Sequence, residues 1–170
     1  MAISEPKQNP EFLEYVYELN DGHSLKEAFA ISLNEIELLN RNQLKRIGLK
    51  TYEEGKWSIH TILQYLIDWE RIWCFRAVLF ARSEGTIPEA HNQELMGANS
   101  NADSLSLDDL IDELKAVRKS SILLFKSFDD KMLETRCEFF EYEMPLSAIG
   151  LTIAAHQKHH LNVILEKYLP

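Results

Sequence analysis

Apolar residues recur at spacings of three and four along four long stretches of the chain, which is the signature of amphipathic helices. The first opens at Ser24, with Glu27 three residues on as a capping box. It carries Leu25, Phe29, Leu33, Ile36 and Leu39 towards Gly48, a natural C-terminal residue. A second begins near Ser58 and runs through Ile59, Ile62, Leu63, Leu66, Ile67, Trp73 and Ala77, with a stop expected at Gly85 and Pro88. A loop rich in Asn, Ser and Asp (Asn92 to Ser106, broken by Leu95 and Met96) leads to a third helix. Ser106 caps it, Asp108 and Asp109 suit its positive end, and Leu107, Leu110, Leu114, Val117, Ser121 and Leu124 form its stripe. The fourth starts at Pro145 and continues through Leu146, Ile149, Ile153, Ile164 and Tyr168. Cys137 to Tyr142 reads as extended, one short segment that makes no sheet, and Pro10 to Leu19 as a short helix or an extended arm.

Four such helices predict an all-α four-helix bundle, a single domain over 1–170 in which residues 1–23 pack on the bundle as an arm or short helix. No strict heptad persists, which disfavours a coiled coil. Functional sites in bundles lie in the core between facing helices.

Composition narrows the partners. With 27 acidic against 18 basic residues, the net charge of -9 lacks the basic footprint that nucleic acid or an anionic membrane needs, and a small molecule is the expected partner. Cys74 and Cys137, far apart, offer neither a disulfide framework nor a cysteine zinc site. The N-terminal residues show no basic stretch followed by an apolar run, and a cytoplasmic location is expected. Trp57, Trp69 and Trp73 are hard to accommodate together in one bundle core, which points to a homodimer.

Candidate chemistry concentrates on the fourth helix. His156 and His160, four apart, continue the apolar stripe of Ile149 and Ile153 and can aim two imidazoles at one point, whereas His159 and Lys158 fall at the boundary or in solvent. The pair is either a divalent-metal site or two hydrogen-bonded core histidines; a catalytic zinc site wants a third protein ligand. On the second helix Glu70 falls within the hydrophobic arc. It pairs with an arginine (Arg71, Arg76 or one from another helix), or it faces water or a metal. A neighbouring stripe, Tyr65, Trp69, Ile72 and Arg76, either contacts a third helix or lines a cavity able to hold an anion. His60, in the first turn on another face, is expected to be exposed.

Lys56-Trp57-Ser58, Leu66-Ile67-Asp68-Trp69-Glu70-Arg71, Arg76-Ala77 and Ala81-Arg82, together with His156, His159, His160, Leu161 and Tyr168, resemble the DinB/YfiT-like family in order and spacing from about Phe12 to Leu169. The resemblance implies a four-helix bundle, often dimeric, with relatives that include thiol-dependent transferases and isomerases and hydrolase-like proteins. It also implies a metal triad of one histidine from the second helix and two from His-x-x-x-His. His156 and His160 match the latter; the first position is Tyr65 here. A phenol with a pKa near 10 is a poor ligand until a metal ionises it, so zinc or nickel should bind weakly. The loop histidine His91 is a possible substitute. The resemblance thus leads to a metal-dependent thiol transferase or hydrolase with a degenerate triad, using a divalent metal and a low-molecular-weight thiol. The alternative is a metal-free small-molecule-binding or interaction module. With the family's backbone geometry, the Tyr65 hydroxyl is expected to hydrogen-bond one of the two histidines, in a pocket that includes Trp69.

Overall fold

Side-chain caps start three of the four long helices at the residues the pattern indicates. The computed structural model describes residues 10–84, 91–139 and 142–169. Ser24 and Glu27 form the reciprocal capping box of a helix that spans Leu25–Glu37. Ser58 Oγ accepts from the Thr61 amide (3.1 Å) at the head of Ile59–Ala81, and Ser106 Oγ accepts from the Asp109 amide (3.1 Å) at the head of Leu107–Lys126. The fourth long helix, Leu146–Val163, follows Pro145 without a side-chain cap; the Leu146 amide donates instead to Thr135 O at 2.9 Å.

In chain order the helices are α1 (Pro10–Leu19), α2 (Leu25–Glu37), α3 (Arg41–Ile47), α4 (Ile59–Ala81), α5 (Gln93–Ala98), α6 (Leu107–Lys126), α7 (Asp130–Leu133) and α8 (Leu146–Val163). The strands β1 (Arg136–Phe139) and β2 (Tyr142–Pro145) form an antiparallel hairpin in which Cys137 faces Met144. The last turn, Ile164–Tyr168, widens to a π-helix. The four long helices make a ring: α2 and α4 each pack on both α6 and α8, and α1 lies along α8. No helix among the described residues is long and apolar enough to cross a membrane.

Several expectations change. The first helix does not run on to Gly48: it stops at Glu37, and Asn40 Oδ1 accepts the Gln43 amide at 3.1 Å to start α3 afresh. The polar stretch after Asn92 is not all loop, because Asn92 caps α5 and Ala102–Ser104 makes a single 3-10 turn. The extended segment is half of a hairpin rather than a lone strand. Helix α4 ends at Ala81, where Ser83 takes a left-handed φ of 55° and the Glu84 amide reaches back to Leu79 O. Gly85, Pro88, Glu89, Ala90, Phe140, Glu141 and residues 1–9 lie outside the described residues.

All three tryptophans fit one chain: Trp69 is buried, and Trp57 and Trp73 pack half-buried against the same core cluster. Crowding of these rings therefore gives no reason for a dimer. Leu63 and Ile67 of α4 and Leu110 and Leu114 of α6 are fully enclosed, each adding about 1.5–3 kcal/mol by leaving water. Gly150 marks a close approach of α8 to its neighbours. A Cβ there would stand 2.5 Å from Leu25 Cδ1 and 3.0 Å from Phe125 Cε1.

One polar knot crosses this core. Arg118 of α6 donates from Nε to Glu70 Oε1 (2.9 Å) and from Nη2 to Glu70 Oε2 (2.8 Å) on α4. It also donates to Ser32 Oγ on α2, and Nη2 lies 3.5 Å from Ile153 O on α8. Both ends of the ion pair are almost fully buried, so a single guanidinium touches all four long helices. Arg71, the nearer candidate by sequence, instead reaches Glu113 (2.7 Å) and Asp68 (3.8 Å) at the surface.

Candidate functional site

The i, i+4 spacing on α8 brings His156 and His160 together as closely as two imidazoles can sit: their Nε2 atoms are 3.2 Å apart. Trp69 of α4 stacks on His156, with centroids 3.9 Å apart and planes 22° from parallel. Tyr65, one turn earlier on α4, presents its ring edge-on to both imidazoles at 5.4 and 5.7 Å, and Trp57 backs it at 4.9 Å. Tyr65 thus faces the pair across the bundle. Its hydroxyl, however, does not bond a histidine, as the sequence had suggested; it donates to Gln93 Oε1 of α5 at 3.3 Å.

Burial sets the protonation of these groups. It holds His156 well below the usual imidazole range, with His160 and His159 adding repulsion. Burial first, then His159, pulls His160 down to about 4. The same desolvation, with help from Glu94, pushes the Tyr65 phenol up to about 12. At neutral pH the centre is two neutral imidazoles beside a neutral phenol. One Nε2 then donates to the other, or both lone pairs point at a shared guest.

The pair opens on a cavity of about 440 Å³. Trp57, Tyr52, Lys56 and Tyr168 wall one part of it and Gln93 and Glu94 another, with His156, His159 and His160 alongside. Tyr168 is fixed by donating its hydroxyl to Trp57 O. The stripe of Tyr65, Trp69, Ile72 and Arg76 divides: the first two touch the imidazoles, but none of the four lines this cavity. The Arg76 guanidinium lies over the Trp73 ring at 5.0 Å. His91 is half-buried near Arg76, which together with burial lowers its pKa, and its Nδ1 has no hydrogen-bond partner among the described residues. His60 is half-buried rather than exposed, with an equally unpartnered Nδ1. Exposed His159 accepts or donates a 2.8 Å bond between Nδ1 and Tyr15 OH of α1, and Lys158 pairs with Glu35 at 2.6 Å.

Gln93, Glu94, Tyr52 and the Tyr168 contact were not legible as site residues. The signal for the first two was the Asn92 cap, which turns a polar stretch into a helix held against α4.

For the metal ion that the resemblance implies, the donor set divides in the same way. Two nitrogens bound to one tetrahedral zinc at about 2.0–2.1 Å stand roughly 3.3 Å apart, so the histidine pair at 3.2 Å suits two positions of such an ion. A third protein ligand does not fit. Tyr65 is a neutral phenol engaged by Gln93, and no group of three His, Cys, Asp or Glu side chains gathers for a metal among the described residues.

The fold is that of a four-helix-bundle protein, with a histidine pair on α8 beside a cavity that the segment before α4 and helix α5 help to wall. The DinB superfamily model matches residues 24–164, and the chain belongs to that superfamily. Among solved structures, YfiT from Bacillus subtilis shares the fold with a TM-score of 0.62 at 14% identity, over 99% of this chain and 93% of that one. YfiT is described as "a probable metal-dependent hydrolase with an unusual four-helix bundle topology". No curated protein gives a significant sequence match.

Proposed function

We propose that the protein acts on a small molecule held in the 440 Å³ cavity, with His156 and His160 as the functional centre, as a degenerate member of its superfamily. The observation that carries this reading is the Nε2 pair at 3.2 Å facing a phenol whose hydroxyl is already engaged. His156 and His160 would hold a divalent zinc or nickel ion weakly, as two ligands without a third from the described residues. A bound ion would act there as a Lewis acid. The reaction class this supports is metal-assisted hydrolysis, in keeping with the description given to YfiT, or thiol transfer. Without an ion, the two neutral imidazoles can still hold a bound ligand by hydrogen bonds, one accepting while the other donates.

A second reading, a metal-free binding module, is favoured by the Tyr65 to Gln93 bond, which occupies the side of the site where a third ligand would stand. Elemental analysis of untagged protein, followed by calorimetric titration with zinc and with nickel, separates the two. Weak, saturable binding, with a Kd of about 1–100 μM, that is lost in His156→Ala supports the degenerate centre. No binding supports the second reading, and nanomolar binding would show that a further ligand exists.

A further inference from the structure

His156 belongs to two cavities. Besides the polar one, it helps to wall a second, partly open one of about 260 Å³, lined by Tyr15 and Val16 of α1, Trp69 and Trp73 of α4 and Ala155 of α8. The aromatic side is a continuous stack: His156 on Trp69 at 3.9 Å, then Trp69 on Trp73 at 4.9 Å. The two hydroxyls at its edge are already committed. The Thr152 hydroxyl donates to Ala148 O (2.7 Å), and the Tyr15 hydroxyl is bonded to His159 (2.8 Å). A guest here meets carbon and ring faces. An apolar cavity of about 150 Å³ already admits benzene, so 260 Å³ has room for an aryl ring with one or two further carbons.

We propose that the cavity beneath α1 is the apolar subsite of the His156/His160 centre, and that it receives the aryl or short-alkyl group of a ligand whose polar part lies in the larger cavity beside Lys56 and Glu94. The proposal rests on the histidine pair being the functional centre, and it specifies the substrate class: small amphiphilic molecules with one ring-sized apolar end. Helix α1 becomes part of the site, because Tyr15 and Val16 supply the roof.

Benzyl alcohol titrated into the full chain, followed by NMR of the three tryptophan indole N–H signals, tests this. Trp69 and Trp73 line the apolar cavity, whereas Trp57 lines only the larger one and serves as an internal reference. Saturable shifts at Trp69 and Trp73 that exceed the shift at Trp57, and their absence with ethylene glycol, are expected. Ala155→Leu, which fills the cavity, should weaken binding at least about tenfold. No saturable shift, or the largest shift at Trp57, overturns the proposal; the unaltered protein alone decides this should Ala155→Leu not fold. Zinc binding without the shifts removes the subsite. Shifts without zinc binding leave the subsite standing and remove only the metal reading.

Discussion

Replacing Arg118 by Met is the sharpest test of how the bundle is held together. The guanidinium makes a two-pronged ion pair with Glu70 at 2.9 and 2.8 Å and bonds Ser32, with side-chain exposures of 1% for Arg118 and 2% for Glu70. Met keeps the volume but leaves a carboxylate with no cation in a site closed to bulk solvent. Breaking a buried pair in this way costs about 3–5 kcal/mol. At about 2–4 °C per kcal/mol for a chain of this size, the melting temperature should fall by roughly 6–20 °C. Glu70→Gln is milder, about 1–3 kcal/mol, since an amide oxygen still accepts from the guanidinium. The double variant Arg118→Met/Glu70→Leu removes both charges and should be more stable than Arg118→Met alone, because the penalty lies in the orphaned charge rather than in a missing attraction. Urea unfolding followed by far-UV circular dichroism measures all three. An Arg118→Met midpoint within about 0.5 kcal/mol of the unaltered protein, or a double variant no better than the single, would refute the reasoning.

Tyr65→His restores a third imidazole facing the pair and should raise zinc or nickel affinity at least tenfold, about 1.4 kcal/mol; the gain should vanish when His156→Ala is added, and calorimetry showing no gain would mean that the three positions do not converge. In chelator-treated protein, stability should be full above about pH 6.5 and decline as pH falls towards 4. The unfolded chain takes up a proton at an ordinary imidazole pKa, while folded His160 resists until about 4. The loss attributable to His160 is about 3 kcal/mol, and a melting series in which His160→Gln leaves that slope unchanged would contradict it. A homodimer is predicted through the exposed Phe75 of α4 and Leu123 of α6, on helices that pack together. Sedimentation velocity should show a dimer at about tens of micromolar and a monomer for Phe75→Glu; a monomeric unaltered protein ends the idea.

The four long helices were legible because their apolar periodicity and their Ser caps act locally, within one turn. His156 and His160 could be placed on one face for the same reason. What the sequence hid is set by contacts far apart along the chain. Arg118 is not among the residues of the expected α6 stripe, which passes through Val117, and its partner Glu70 lies 48 residues away. The bond from Tyr65 to Gln93 was missed because α5 is only six residues long and shows no amphipathic period. The break between α2 and α3 follows from Asn40, whose side chain competes for backbone amides inside an otherwise helical pattern.

Gly150 sets a dimension of the site without being part of it. It lies six residues before His156 on the same helix, about 9 Å along the axis at 1.5 Å per residue, and it is the point at which α8 seats against Leu25 and Phe125. Tyr65 and Trp69 ride on a different rod, α4. The gap between the imidazoles and the phenol is therefore a tolerance of assembly, fixed by how deeply one helix is shimmed against its neighbours rather than by any local fold of the chain. A single methyl added at Gly150 would act as a shim, tilting α8 and altering the reach of the histidine pair from a position that touches no ligand.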